Sequence, residues 1–350
     1  MVKRVAFAVP GDLGAPTGGY AYDRRMIAEL QALGWQVDAI DLGSGFPRPS
    51  AEAKAAAGGK LAAAPERSPI VVDGLAFGVL PEAANALRER NPLIALVHHP
   101  LAFETGLAPA DAEALMKSEH EALACARGVI VSSPSTATLL TEEYDVPLEL
   151  VSVVRPGTDR GTMARGSSDG TLRLVSVGAV VARKGFDVLI EALAPLASLP
   201  WRLTIAGDRT RDPATSAQLD ADIARQGLAG RVDVLGAVDG DRLDALYAGA
   251  DMFVLASRFE GYGMAYAEAM ARGLPIVGTT AGAIPDTVPP NAGILVEPND
   301  VKALSRTLRM LMENRKEREW LAAGAREAGQ ILPTWPDSAR LFAAAIEAAA

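Results

Sequence analysis

Residues 253–277 read Phe253-Val254-Leu255-Ala256-Ser257-Arg258-Phe259-Glu260-Gly261-Tyr262-Gly263-Met264-Ala265-Tyr266-Ala267-Glu268-Ala269-Met270-Ala271-Arg272-Gly273-Leu274-Pro275-Ile276-Val277. A short apolar run leads into a Gly-x-Gly turn, a helix-length stretch, a Gly-Leu-Pro break and a second apolar run. That is a strand–helix–strand unit, and short apolar strands joined through helices belong to a parallel sheet covered on both faces. Glu260 and Glu268 bracket the turn. The backbone of Tyr262, Gly263 and Met264 at a helix start can present N–H groups to an anion or to sugar hydroxyls, and a carboxylate accepts from a hydroxyl. A purely structural reading makes Glu260 a helix N-terminal charge and Glu268 an exposed helix residue. The apolar neighbours Ala267, Ala269 and Met270 argue against plain exposure of Glu268.

The same alternation extends in both directions. Upstream, residues 172–177, 202–206 and 232–235 read as strands, with helices over 186–196, 216–226 and 241–248. Downstream, helices cover 301–314 and 316–328. The first half repeats the pattern, with strands at 5–9, 37–40, 70–72, 94–97, 129–131 and 150–154. Helices there are read at 21–33, 82–90 and 111–126, and a further one starts at 135. Arg155-Pro156-Gly157-Thr158-Asp159 and the Gly/Ser/Thr-rich stretch 161–170 break the alternation. The expected organisation is therefore an N-terminal α/β domain over 1–155, a second over 156–332, and a final helix over 333–350 set off by Pro333-Thr334-Trp335-Pro336. Residues 46–67, rich in alanine, glycine and proline, read as a mobile surface loop with one weak helix.

Composition bounds the function. With 350 residues and 49% hydrophobic content, two domains with buried cores are expected and a disordered chain is excluded. The formal charge is −9, split as −6 over 1–155 and −3 over the rest, which argues against nucleic acid as a partner. Cys125 is the one cysteine, so no intramolecular disulfide forms, and no Cys/His group has zinc spacing. No apolar run reaches the ~18 residues of a membrane span. The start, Met1-Val2-Lys3-Arg4, lacks the apolar core of a signal peptide. A cytoplasmic protein is expected.

Three further motifs bear on chemistry. Gly18-Gly19, within the run Pro10 to Gly19, precedes a helix; it is neither the dinucleotide fingerprint nor a P-loop, and alone reads as a flexible turn. Arg183-Lys184-Gly185 opens a helix at the sheet's carboxyl edge, where two cations oppose the helix dipole unless an anion joins them. His98-His99-Pro100 ends a strand, and a histidine there can donate to a ligand hydroxyl or move a proton. The pair has no acidic neighbour in sequence that would support a metal site, and no metal is expected.

Together these segments resemble the retaining glycosyltransferases of family 4. Glu260 and Glu268 fall on that family's paired glutamates, Gly178 through Lys184-Gly185 on its diphosphate turn, Pro156-Gly157-Thr158-Asp159 on its linker, and Gly18-Gly19 on its N-domain glycine loop. The resemblance implies an α/β GT-B fold, two Rossmann-like doubly wound domains facing a cleft, with the donor bound by the second and the acceptor by the first. It implies a retaining, metal-independent transfer of a sugar from a nucleotide-diphosphate sugar to a hydroxyl acceptor, with no bound cofactor. Lys184 would neutralise the leaving diphosphate and Glu268 would accept from the ribose. Glu260 would lie near the donor sugar, and His98, or His99 in the alternative register, would contact it. Tyr262, Gly263 and Met264 would hold sugar hydroxyls through their backbone, Gly18, Gly19 and Gly178 would border the phosphates or acceptor, and the base would stack near Leu235-Gly236.

One departure stands out. Ala179 occupies the position where the family commonly has arginine, and Arg183 or Arg258 is the expected substitute. The alternative is a nucleotide-sugar-binding protein without turnover. The acidic first half favours a soluble acceptor over peripheral membrane association.

Overall fold

The computed structural model describes residues 3–15 and 17–350. Met1, Val2 and Pro16, which enter the readings of the N-terminus and of the first glycine run, lie outside the described residues. The chain divides into two compact units, Met1–Gly157 with Pro333–Ala350, and Thr158–Leu332.

The first unit carries six strands: β1 (Arg4–Val9), β2 (Gln36–Asp41), β3 (Ile70–Asp73), β4 (Leu93–Val97), β5 (Gly128–Val131) and β6 (Val151–Val153). They form one parallel sheet in the order β2-β1-β3-β4-β5-β6. Strands β3, β4 and β5 are buried along their whole length, which is why they read as unbroken apolar runs rather than alternating ones. Strand order reverses between β1 and β3. The carboxyl ends of the strands flanking such a reversal diverge and leave a crevice, the usual ligand position in open α/β sheets.

The last helix, Trp335–Ala349, belongs to this unit and lies against helix Gly18–Ala32. Phe342 stacks on Phe7 at 6.0 Å, Trp335 meets Tyr22 edge-on at 6.0 Å, and the Arg25 guanidinium sits 4.9 Å over the Trp335 ring. A Cβ on Gly157 would fall 2.3 Å from the Trp335 backbone nitrogen, so the chain passes this helix only as glycine. Within 46–67 the structure has an ordered helix, Ala51–Ala62, where the sequence reads as a mobile loop with a weak one. Ser50 caps it by accepting from Ala53 N at 3.2 Å, and Ala57 and Leu61 are buried. Alanine propensity and a serine cap form the helix, and two small apolar contacts anchor it.

The second unit holds β7 (Leu172–Val177), β8 (Trp201–Ala206), β9 (Val232–Val234), β10 (Met252–Val254), β11 (Ile276–Thr279) and β12 (Gly293–Val296). The sheet is again parallel, in the order β12-β11-β10-β7-β8-β9, with the reversal between β7 and β10. Strand β12 is an addition to the sequence reading. It is a half-buried edge strand, and its Gly293 is required because a Cβ would fall 2.6 Å from that of Ile276. Trp201, Tyr247, Phe253 and Tyr266 are fully buried in this core, Phe253 meeting Tyr266 edge-on at 5.2 Å. Among the described residues no helix is long and apolar enough to cross a membrane.

Candidate functional site

In the second unit the reversal between β7 and β10 brings two loops together. The loop after β7 runs from Gly178 to Gly185 and the loop after β10 from Leu255 to Gly263. Arg258 N donates to Arg183 O at 2.7 Å, joining them backbone to backbone. Gly185 has φ +64°, and a Cβ there would lie 2.0 Å from Ala256 O, so both its backbone and its space require glycine. The turn it permits opens helix Phe186–Leu193 and aims Lys184 across the crevice.

Lys184 Nζ donates to Glu260 Oε1 at 2.6 Å, and Arg183 donates to Glu260 Oε2 at 3.2 Å and to Phe259 O at 2.8 Å. Ser257 Oγ donates to the same Oε1 at 2.6 Å. Glu260 is 6% exposed, so its charge is viable only with these partners. Burial alone would raise its pKa, but the Lys184 and Arg183 charges outweigh burial and hold it at about 2. For Lys184, burial is partly offset by Glu260 and lowers the pKa from its ordinary value. Gly178 makes room for the lysine stem: a Cβ there would sit 3.0 Å from Lys184 Cε.

Gly263 caps helix Met264–Ala271 in the left-handed region at φ +87°. Four residues into that helix Glu268 accepts from Tyr247 Oη at 3.0 Å through Oε2. Burial raises the Glu268 pKa against the pull of Tyr247 and Arg272. Tyr262 is buried and its carbonyl accepts from Thr287 Oγ1 at 2.6 Å, which fixes the turn between the glutamates. Leu235 and Gly236 end the next strand but one, where Gly207 N donates to Gly236 O at 2.8 Å. Lys184, Arg183, Glu260, Glu268, Gly178 and the 262–264 turn thus share one sheet edge.

Neither expected stand-in for the missing arginine is free. Arg258 is held by Asp187 in a two-pronged contact at 3.0 and 2.6 Å and by Asn299 at 2.8 Å. Arg183 is committed to Glu260 and to the Phe259 carbonyl.

In the first unit the corresponding reversal assembles a cluster that the sequence reading missed. His98, after β4, places Nε2 3.1 Å from Asp23 Oδ1 and 3.5 Å from Asp73 Oδ2. Asp73 ends β3 and caps the next turn by accepting from Leu75 N at 2.8 Å. Both aspartates are fully buried. The sequence shows no acidic neighbour for the histidine pair because the partners lie far along the chain. The available signals were Asp23 on the apolar stripe with Tyr22, Met26 and Leu30, and Asp73 closing an otherwise apolar strand. His99 reaches Glu104 at 3.4 Å instead.

Gly18 and Gly19 are not a loop before the helix but its first two residues, capped by Thr17 Oγ1 accepting from Tyr20 N at 3.2 Å. A Cβ on Gly19 would fall 3.2 Å from His98 Cδ2, so the glycine lets the ring lie against the helix start. Burial disfavours charge on His98, but Asp23 and Asp73 override it and raise its pKa to about 10. Burial and the like charge of Asp73 push Asp23 up in turn. Asp23 Oδ2 and Asp73 Oδ2 have no hydrogen-bond partner, and a proton shared between the carboxylates would satisfy both. One donor atom from each of the three side chains lies within 4.8 Å of the others, a spacing compatible with a cation. The imidazole already fills that role electrostatically.

Two doubly wound parallel sheets, each with charged side chains at its strand-order reversal, define a two-unit α/β protein with a ligand crevice at each switch point. Residues 164–328 match the family described as Glycosyl transferases group 1. The D-inositol 3-phosphate glycosyltransferase of Xylanimonas cellulosilytica is 30% identical over 260 residues, covering 68% of this chain and 62% of that protein. The chain thus spans less than two thirds of that relative's length. The sucrose-phosphate synthase of Thermosynechococcus elongatus has a similar structure, with a TM-score of 0.80 over 98% of this chain and 100% of that one at 22% identity. Anabaena HepE, in complex with UDP-glucose, gives 0.78 over 98% and 99% at 18% identity. The chain has the GT-B fold, and residues 164–328 are its glycosyl transferases group 1 domain.

Proposed function

We propose that the protein is a retaining glycosyltransferase that moves a sugar from a nucleotide-diphosphate sugar to a hydroxyl acceptor without a metal ion. The observation that carries this reading is Lys184 and Arg183 gathered around Glu260, with Glu268 beside them, at the crevice where doubly wound sheets bind nucleotides. The C1–phosphate oxygen bond breaks and a C1–acceptor oxygen bond forms on the same face. The acceptor proton passes to the departing phosphate oxygen. Charge developing on that diphosphate is met by Lys184, with Arg183 adding its charge from its place on Glu260, the role a divalent cation plays in metal-dependent transferases. Glu268 accepts from the ribose hydroxyls, and the backbone at Tyr262, Gly263 and Met264 binds the donor sugar.

In the first unit, His98 presents Nδ1, which has no hydrogen-bond partner among the described residues, as a donor to sugar or acceptor oxygen. Gly18 and Gly19 keep the helix start open beside it. The acidic character of residues 1–155 favours a soluble acceptor and no role for nucleic acid. The Xylanimonas relative's name makes inositol phosphate a first acceptor to try.

The test is transfer in the presence of EDTA, with a panel of nucleotide sugars and soluble hydroxyl acceptors. A product with the donor's anomeric configuration by NMR is expected. An inverted product, or activity that EDTA abolishes, overturns the mechanism. Binding of a donor without transfer to any acceptor would favour a nucleotide-sugar-binding protein, the reading that Ala179 and the committed Arg258 make worth testing.

A further inference from the structure

The loop after β8 carries a cation outside every hydrogen bond and ion pair of the described residues. Asp208 accepts from Thr210 N at 2.7 Å and Thr210 Oγ1 at 2.8 Å. Arg209 donates to Ser216 Oγ at 2.9 Å and reaches Asp220. Asp212 caps helix Pro213–Arg225 by accepting from Thr215 N at 3.0 Å and Thr215 Oγ1 at 2.6 Å. Every polar side chain from 208 to 212 is engaged except one. Arg211 is exposed and forms no hydrogen bond or ion pair with any described residue.

This loop lies directly against the Lys184 turn. Gly178 N donates to Ala206 O at 2.9 Å and Val180 N to Asp208 O at 2.8 Å. Gly207 leaves no space between them, since a Cβ there would sit 1.8 Å from Gly178 O. The Arg211 charge is felt at Lys184, where it adds to the lowering of that lysine's pKa. The loop thus holds, next to the turn of a lysine that it repels, an arginine that makes no hydrogen bond and whose charge otherwise faces the Asp208 carboxylate of the same loop. An anion between the two removes the repulsion.

The charge balance at this edge points the same way. Glu260 takes up one of the two positive charges of Lys184 and Arg183, and Asp187 takes up Arg258. That leaves about one net positive charge for a ligand carrying two phosphates. Ala179, at the head of the turn, contributes none.

We infer that Arg211 is the second cation of a nucleoside-diphosphate subsite, contacting the phosphates opposite Lys184 and supplying the charge that position 179 lacks. The inference rests on the proposed reading of Thr158–Leu332 as the nucleotide-sugar unit.

UDP, GDP, ADP and dTDP are titrated calorimetrically into the wild-type protein at fixed low salt. Each one that binds is then carried to Arg211→Ala, Arg211→Lys and the control Arg225→Ala, with melting temperatures recorded alongside. Arg211→Ala is expected to weaken diphosphate binding about tenfold, the value of one charge-assisted contact, with unchanged melting temperature. Arg211→Lys should retain most of the affinity, the control should match wild type, and the salt dependence should become shallower in Arg211→Ala. Wild-type affinity and salt dependence in Arg211→Ala overturn the inference while leaving the nucleotide reading intact. Failure of all four diphosphates to bind the wild-type protein overturns the nucleotide reading, and the inference with it.

Discussion

Lys184 and Glu260 are 76 positions apart in the chain and meet at 2.6 Å, lysine from the loop after β7 and glutamate from the loop after β10. Both are largely buried, with side-chain exposures of 14% and 8%. An ion pair so placed is a poor device for stability alone, because desolvation offsets most of its attraction. It does keep a lysine charged and aimed in a crevice. Truncation exposes the asymmetry. Glu260→Ala leaves two buried cations facing each other and should cost about 3–5 kcal/mol in urea unfolding, whereas Glu260→Gln should cost much less. Equal costs would mean that charge is not what matters at this position.

Two glycines of the turn separate backbone from aim. Gly185→Ala meets both a left-handed backbone and the Ala256 carbonyl, and should lose more than about 2 kcal/mol of stability. Gly178→Ala meets the lysine stem at 3.0 Å on a backbone at φ +159° that side chains rarely adopt, but no backbone atom as close as the Ala256 carbonyl is to position 185. It should lose less stability than Gly185→Ala, while kcat/KM falls on the order of tenfold to a hundredfold as Lys184 is displaced. A Gly178→Ala enzyme with unaltered kinetics would detach Lys184 from the chemistry.

The first unit's cluster predicts a pH dependence. His98 is raised from 6.5 to about 10 in the folded protein. Its contribution to stability is complete below about pH 6.5 and is lost as pH rises through about 10, because the folded state holds the extra proton across that window. The raised Asp23 has the same sign at lower pH, since folding favours its protonated form. Stability measured by urea should therefore decline from about pH 6 to about pH 9, and the decline should flatten in His98→Asn. The depressed Glu260 acts oppositely: its contribution is present above about pH 4.5 and is lost as pH falls through about 2. A His98→Asn protein with the wild-type pH profile would contradict the imidazolium assignment, as would a neutral His98 in NMR titration at neutral pH.

Tyr247 tests the second glutamate. Its hydroxyl lowers the Glu268 pKa against burial. Tyr247→Phe should therefore raise the acid limb of the kcat/KM profile and increase donor KM, at a stability cost of about 1 kcal/mol. An unshifted acid limb would show that Glu268 does not meet the substrate in ionised form.

The parallel strands were legible because burial on both faces leaves them continuously apolar, as in Ile70-Val71-Val72. Strand β12 was less so: it is half-buried at an edge and starts on glycine, with little pattern to mark it. The paired glutamates and the Arg183-Lys184-Gly185 turn stood out by their glycines and spacing. Which cation meets which carboxylate did not. Arg258 looked available, and only the folded chain reveals Asp187 beneath it. Likewise Asp23 and Asp73 become partners of His98 only when strand order brings the ends of β3 and β4 beside the first helix.

The central claim is that Lys184, positioned by Glu260, forms the diphosphate site of a nucleotide-sugar enzyme. The most direct test is the thermal shift of wild type and Lys184→Ala across UDP-, GDP-, ADP- and dTDP-sugars. A bound donor raises the melting temperature by mass action. The account predicts that at least one donor stabilises the wild-type protein and that Lys184→Ala, though folded, loses the shift. A shift that survives intact in Lys184→Ala, or no shift from any donor, would contradict it.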